Sequence, residues 1–131
     1  MRVLIVDDAM FMRVTLKQML LNGGYEVVGE ASSGIEAINQ YKLLSPDVVL
    51  MDIFMPELDG ISALKEIKQY NEKAKIIICS AVSHRKSVIE AIQAGAIDFL
   101  AKPIHQETLI LSIEKAQHQG LMQTERGIQI S

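Results

Sequence analysis

The middle of the chain reads VVLMDIFMP (Val48–Pro56), which is four aliphatic residues, a carboxylate and a short segment that ends in proline. A continuous aliphatic run without polar alternation is typical of a parallel strand that is buried on both faces. Pro56 lacks an amide hydrogen, so it is unsuited to a central strand. The stretch therefore predicts a buried strand over Val48–Met51 that places Asp52 at one end of a sheet.

Four other short runs are predicted strands. They are Val3–Val6, Glu26–Gly29, Ile76–Cys79 and Ala96–Leu100. The run at Glu26–Gly29 has polar neighbours, which favours an edge position. Helical periodicity follows each strand, over Phe11–Leu21, Ser33–Leu44, a segment capped by Asp59, Arg85–Ala94 and Gln106–Gln117. Five alternations of strand and helix predict a single α/β domain of the (βα)5 type, with a five-stranded parallel sheet and helices on both faces.

The apolar residues of two helices exceed what one buried stripe requires. In the first helix Phe11, Val14 and Leu21 lie off the side that carries Leu16 and Leu20, at 100° per residue. In the last helix Leu111 lies opposite the predicted core side. In the second helix, which opens with a capping-box pattern at Ser33, the residues Ile35, Ile38 and Leu43 are predicted to be buried. We expect the residues outside the buried stripes of the first and last helices to be exposed and available to partner proteins. They are Phe11, Val14, Leu21 and Leu111.

Composition excludes several functional classes. The chain has 131 residues, a formal charge of −3 and one cysteine, Cys79. The charge balance gives no indication of nucleic-acid binding, for which a basic face would be expected. No apolar run is long enough to span a bilayer, and a lone cysteine cannot form an internal disulfide. A cytoplasmic protein is expected. His84, His105 and His118 show no metal-ligand spacing and are expected to be solvated. Helical periodicity fades near Gly120, so we predict a domain over residues 1–118 and an irregular C-terminal tail over 119–131.

The polar residues of interest follow the predicted strands. Asp7 and Asp8 follow the first strand, Asp52 the third, Ser80 the fourth and Lys102 the fifth. The carboxyl ends of parallel strands share one sheet edge, where such folds bind ligands. Three neighbouring carboxylates repel one another unless a cation intervenes, and Mg²⁺ suits a site of carboxylate oxygens. With Mg²⁺ and Lys102 the formal charges cancel, so a carboxylate could attack an anionic phosphoryl group.

These motifs resemble a known family. Asp7-Asp8, the segment Met51–Pro56 followed by Asp59-Gly60, Cys79-Ser80-Ala81 and the segment Phe99–Pro103 resemble, in this order, the receiver domain of two-component response regulators. The resemblance covers roughly residues 2–117, and its details are most similar to the chemotaxis members. It implies the flavodoxin-like strand order 2-1-3-4-5. It also implies a stand-alone signalling switch rather than an enzyme acting on other substrates, one that catalyses only its own phosphorylation and dephosphorylation.

The resemblance implies a role for each metal ligand. Asp52 would accept the phosphoryl group from the phosphohistidine of a histidine kinase. Asp8 and Asp52 would bind Mg²⁺ directly, together with the backbone carbonyl of Phe54, and Asp7 would bind through water.

The same resemblance implies the parts of the switch. Lys102 would pair with a phosphoryl oxygen, and Ser80 would hydrogen-bond another and be drawn toward it. Phe99 would turn inward as Ser80 moves. A cis peptide is expected at Lys102-Pro103.

Output is expected through protein binding, with no nucleic acid and no membrane insertion. The resemblance favours a flagellar motor switch component as the target. The extra apolar residues of the first helix lead to the hypothesis that its surface docks the phosphodonor. The face formed by the fourth helix, fifth strand and fifth helix would report phosphorylation. Whether the protein is a monomer or a phosphorylation-dependent dimer stays open.

Four alternative functions compete with this interpretation. A haloacid-dehalogenase-type phosphatase needs a second aspartate where this chain has Phe54, and a flavodoxin-like cofactor binder needs a phosphate loop where it has Asp7-Asp8. A pseudo-receiver would lack one of the site residues. A phosphorelay intermediate, which passes the group to a histidine phosphotransfer protein, has the same site and stays open. Phe54 and Val82 replace polar residues that orient water in similar proteins, which predicts slow self-dephosphorylation.

Overall fold

The computed structural model describes residues 1–130, with side chains described to residue 118. The elements in chain order are β1 (Arg2–Val6), α1 (Met10–Asn22), β2 (Glu26–Ala31), α2 (Gly34–Leu44), β3 (Val48–Asp52), α3 (Gly60–Tyr70), β4 (Ile76–Ala81), a 3₁₀ turn (Val82–His84), α4 (Arg85–Gln93), β5 (Asp98–Lys102) and α5 (Gln106–Ile130). The alternation of strands and helices is the predicted one. Each predicted strand overlaps an observed strand, with ends that differ by at most two residues.

The five strands form one parallel sheet in the order β2-β1-β3-β4-β5. This confirms the predicted fold, the strand order and the edge position of β2. Strand β3 is central, and the side chains of Val48–Met51 are fully buried. The register sets Asp52 opposite Cys79 of β4, so Asp52 and Ser80 reach the same sheet edge.

Alternate strand residues build two cores, because successive side chains point to opposite faces of a sheet. Val49 and Met51 pack with residues of α2, α3 and α4, whereas Val48 and Leu50 pack with residues of α1 and α5. The continuous aliphatic run of β3 thus supplies both cores, as expected for a strand covered on both faces.

The second helix packs differently from the prediction. Ser33 caps it as expected, since its hydroxyl accepts a hydrogen bond from the Glu36 amide at 3.1 Å. The core-facing residues are Gly34, Ala37, Ile38 and Tyr41. These positions form one stripe with i, i+3, i+4 spacing, and Ile35 falls outside it and is 50% exposed. Leu43 also lies outside the stripe and is 76% exposed, so the prediction that Ile35 and Leu43 are buried was wrong.

The C-terminal segment also differs from the prediction. Helix α5 extends to Ile130, whereas an irregular tail was expected over 119–131. Apolar periodicity fades there, but most of the residues are helix formers such as Gln, Leu, Met, Glu and Arg, and the two glycines each cost only about 1 kcal/mol. Ser131 lies outside the described residues, and a domain boundary at residue 118 stays a prediction. Within the described part of the chain, no helix is both long and apolar enough to cross a membrane.

Candidate acidic phosphoryl site

Three carboxylates meet at the carboxyl edge of the sheet. Asp7 and Asp8 follow β1, and Asp52 is the last residue of β3. One carboxylate oxygen from each lies within 4.8 Å of the others. Asp7 is buried, Asp52 is partly buried and Asp8 is exposed. This oxygen donor set, open to solvent at Asp8, fits a hard divalent cation that keeps part of its water shell.

Lys102 reaches this cluster from β5, two strands away from β3. Its Nζ donates a hydrogen bond to Asp7 Oδ2 at 3.0 Å and lies 3.4 Å from Asp52 Oδ2. The structure therefore brings together four of the predicted site residues: Asp7, Asp8, Asp52 and Lys102. One lysine faces three carboxylates, which leaves the site with an excess of negative charge.

The pKa shifts reflect burial first and the charges of the site second. Burial raises the pKa of Asp52, the charge of Asp7 raises it further, and Lys102 only partly opposes them. Burial acts to lower the pKa of Lys102, but its hydrogen bond to Asp7 and the charge of Asp52 outweigh burial, so the Lys102 pKa is raised. Lys102 is thus firmly cationic, whereas the ionised form of Asp52 is disfavoured by its surroundings. A divalent cation would relieve that cost.

Backbone contacts fix the orientation of the two strand-end carboxylates. Asp7 Oδ1 accepts a hydrogen bond from the Ala9 amide at 2.9 Å, and Asp52 Oδ1 accepts one from the Ile53 amide at 2.8 Å. Arg13 of α1 donates to the Asp7 carbonyl oxygen at 2.7 Å and pairs with Glu30 at 3.1 Å. Arg13 is absent from the predicted site, because its role depends on how α1 packs across the end of β1.

The close approach of α3 explains the Asp59-Gly60 motif. Asp59 caps the helix by accepting a hydrogen bond from the Ser62 amide at 2.8 Å, as predicted. The Gly60 amide donates to the Ile53 carbonyl oxygen at 2.6 Å. A Cβ atom on Gly60 would overlap the carbonyl oxygen of Asp52 and lie 2.9 Å from Ile53 Cα. Glycine is required here because the backbone beside Asp52 leaves no space for a side chain.

Ser80 ends up beside an unpredicted partner. It lies in β4, one residue beyond the register partner of Asp52, and it is 1% exposed. Its Oγ is 2.9 Å from Nδ1 of His84, a residue that the sequence pattern indicated as solvated. The His84 ring is partly buried and packs edge to face on Phe54, with ring centroids 4.5 Å apart. The interpretation of His84 was wrong, whereas His105 and His118 are exposed as expected.

The remaining predicted residues lie around this centre. Phe99 is partly buried on β5, opposite Ile78. The Lys102-Pro103 peptide is cis, as predicted. The Phe54 side chain is 51% exposed, and the role of its carbonyl as a metal ligand stays a prediction. Burial raises the pKa of Cys79 to about 12, which agrees with an unreactive core thiol.

Comparison with known proteins assigns the family. The model of the response regulator receiver domain matches residues 3–114. The chain is 54% identical over 114 residues to the chemotaxis proteins CheY of Bacillus subtilis (strain 168) and of Thermotoga maritima, covering 87% of this chain and 95% of each relative. A solved complex of CheX, CheY, BeF₃ and Mg²⁺ from Borrelia burgdorferi has a chain with a TM-score of 0.83 at 32% identity, with 87% of both chains covered. The chain therefore belongs to the response regulator receiver family and is a two-component response regulator, a signalling switch homologous to CheY.

Proposed function

We propose that Asp52 accepts a phosphoryl group from the phosphohistidine of a histidine kinase, in a reaction that requires Mg²⁺. The observation that carries this proposal is the convergence of Asp7, Asp8, Asp52 and Lys102 at one sheet edge. Phosphoryl transfer depends mainly on positioning and on neutralising charge, which this donor set supplies. The chemotaxis relatives support a role in chemotaxis and flagellar motor control, with a cytoplasmic location.

In this proposal Asp8, Asp52 and the carbonyl of Phe54 hold Mg²⁺ directly, and Asp7 holds it through water. The oxygen donors and the excess negative charge of the site support a hard cation. When bound, the ion neutralises carboxylate charge and thereby reduces the repulsion of an anionic phosphoryl group. Asp7 is also tied to Lys102, so its carboxylate links the metal side of the site to the lysine side.

The chain's own residues would carry out the transfer. Asp52 is the nucleophile: a carboxylate oxygen forms a bond to phosphorus as the bond from phosphorus to the kinase imidazole breaks. Lys102 Nζ, which lies near Asp52 Oδ2, would pair with a phosphoryl oxygen. Ser80 would donate to another. These contacts would favour one of two pre-existing arrangements, with Phe99 turned inward, and so shift the population toward the partner-binding form.

Acetyl phosphate, a small phosphodonor, tests the chemistry without a kinase. We expect that incubation with acetyl phosphate and Mg²⁺ adds one phosphoryl mass to the protein, measured by intact mass spectrometry. Asp52→Ala should add none, and chelation of Mg²⁺ should prevent the addition. Glu66→Ala, which removes an exposed carboxylate on α3, is the matched control and should react normally. Phosphorylation of Asp52→Ala to the wild-type extent would refute the assignment of Asp52.

We propose that the surface of α1 docks the phosphodonor. Phe11 and Val14 are 81% and 59% exposed, and α1 begins directly after Asp7-Asp8. Titration with the phosphotransfer domain of a cognate kinase should therefore shift the amide resonances around Phe11 and Val14. Resonances around Leu43, an apolar residue of α2 that is 76% exposed, are the internal control and should stay constant. Equal shifts at both places would indicate non-specific association.

Phe54 is proposed to slow self-dephosphorylation, since its partly exposed ring occupies the position where a polar side chain would orient water. Phe54→Asn should hydrolyse the phosphorylated form several-fold faster, as measured by loss of the phosphoryl mass after the donor is removed. Leu43→Asn makes the same replacement on a distant exposed apolar residue and should keep the wild-type rate. An unchanged rate in Phe54→Asn would show that this position does not limit hydrolysis.

A phosphorelay role is the second candidate, since the same site would serve it. The two roles differ in the fate of the phosphoryl group. Phosphorylated protein mixed with a histidine phosphotransfer domain would lose its group to the histidine in a relay. It would keep the group, and bind a motor switch component more tightly, in the chemotaxis role.

A further inference from the structure

The hydroxyl of Ser80 is buried and has one visible hydrogen-bond partner. Ser80 is 1% exposed, and its Oγ lies 2.9 Å from His84 Nδ1. The described residues form no other hydrogen bond with this hydroxyl. A buried hydroxyl is rarely left without a partner, so this contact is a hydrogen bond, and in the ring tautomer that carries its proton on Nε2 the Ser80 O–H donates to Nδ1.

The position of the His84 ring is set by two independent features. His84 ends the 3₁₀ turn Val82–His84, at the start of α4, with φ −93° and ψ 38°. This turn brings its side chain back over the end of β4, four residues earlier. Phe54 packs against the ring at 4.5 Å with an interplanar angle of 64°. The ring therefore touches the segment after β3 as well as the residue that ends the buried part of β4.

The proposed role of Ser80 conflicts with this contact. A phosphoryl group on Asp52 offers oxygens that accept hydrogen bonds and has no proton to give at neutral pH. The Ser80 hydroxyl has a single proton. If Ser80 donates that proton to a phosphoryl oxygen, it can no longer donate it to His84, and the contact persists only if the ring carries its proton on Nδ1 and donates to Ser80 Oγ.

We propose that His84 is a positioning residue that competes with the phosphoryl group for the Ser80 hydroxyl and thereby stabilises the unphosphorylated arrangement. This inference rests on the proposed function of Asp52. It assigns to His84 a role in setting how readily the switch turns on. Phe54 contributes by holding the ring in place.

Beryllofluoride with Mg²⁺, an analogue of the phosphoryl group on aspartate, tests the competition by titration of backbone amide resonances near Ser80 and Lys102. A net intramolecular hydrogen bond corresponds to roughly a two- to twelvefold change in an equilibrium constant, so His84→Ala should bind beryllofluoride tighter by about that factor. His84→Asn places an amide acceptor near the position of Nδ1 and should return the affinity toward the wild-type value. His105→Ala, which removes an exposed histidine, is the matched control and should bind like wild type.

A merely structural role for His84 predicts the opposite sign, because loosened packing would weaken binding. A second readout is independent of affinity: the ¹⁵N resonance of His84 Nδ1 should move toward the value of a free acceptor when beryllofluoride binds wild type. Unchanged or weaker binding by His84→Ala, with a normal wild-type response, would overturn this inference alone. A wild-type protein that does not respond to beryllofluoride would overturn the proposed function and this inference with it.

Discussion

Gly60→Ala is expected to destabilise the protein by about 3 kcal/mol or more and to impair phosphorylation of Asp52. The new Cβ would overlap the carbonyl oxygen of Asp52, and the atoms around it belong to the backbone of β3 and Ile53. A flexible side chain could move aside, but the end of a central strand cannot do so without losing its hydrogen bonds. The start of α3 must therefore shift, which also weakens the hydrogen bond from the Gly60 amide to Ile53.

Gly24→Ala is the matched control for this prediction. Gly24 has a φ of +83°, which disfavours a side chain, but no atom lies within 4 Å of its Cβ position. We expect it to cost only about 1–2 kcal/mol, the usual penalty of a left-handed backbone, and to leave phosphorylation unchanged. Urea unfolding measures the free energy of unfolding of each variant, and labelling with acetyl phosphate measures the phosphorylation of Asp52. If both variants lost the same stability and both were labelled normally, the contact between α3 and Asp52 would not be the reason for glycine at position 60.

The core of the candidate site was predictable from the geometry of a parallel sheet. Asp7, Asp52 and Ser80 each follow a run of buried aliphatic residues, Lys102 ends the partly buried strand β5, and parallel strands bring their carboxyl ends to one edge. Side-chain direction did not have to be known for this prediction. Only the order of strands and the length of Lys102 decide whether the amine reaches Asp7 and Asp52, and it does so at 3.0 and 3.4 Å.

The parts that were missed depend on packing without a local sequence signal. His84 approaches Ser80 because Val82–His84 forms a single 3₁₀ turn, and nothing in those three residues marks such a turn. Ile35 is exposed because the buried stripe of α2 passes through Ala37, Ile38 and Tyr41, although Ile35 is more apolar than Ala37 or Tyr41. Arg13 reaches the Asp7 carbonyl only through the angle at which α1 leaves the sheet. In each case tertiary contacts outweigh the local pattern.

Without a metal ion the acidic cluster destabilises the folded protein. One substitution should therefore increase stability while it prevents phosphorylation. Asp52→Asn should abolish phosphoryl addition and yet raise the Tm of the metal-free protein by a few degrees. Burial and the charge of Asp7 raise the pKa of Asp52 above its usual value near 3.8, so the folded state disfavours the ionised form relative to the unfolded chain. Asparagine has nearly the same shape and no charge.

The sign of the pH dependence follows from the raised pKa. When a carboxyl group has a higher pKa in the folded state, the protein loses stability as the pH rises from the unfolded pKa through the folded pKa. The whole loss in unfolding free energy persists at neutral pH. The Tm advantage of Asp52→Asn should therefore be greatest near neutral pH and disappear below about pH 4, where the wild-type carboxyl is protonated in both states. Calorimetry in the presence of a chelator measures the Tm difference between the two proteins at neutral pH and at low pH.

Magnesium should reverse the order of the two proteins. Binding to the folded state alone raises its stability, and wild type offers three carboxylates where Asp52→Asn offers two. Saturating Mg²⁺ should therefore raise the wild-type Tm by more than that of the variant, and Glu66→Gln, which neutralises an exposed carboxylate on α3, should follow wild type throughout. A metal-free Asp52→Asn that melts below wild type at neutral pH would show that the attraction of Lys102 exceeds the cost of burying Asp52 beside Asp7. In that case the excess negative charge would not be the force that draws a cation to this site.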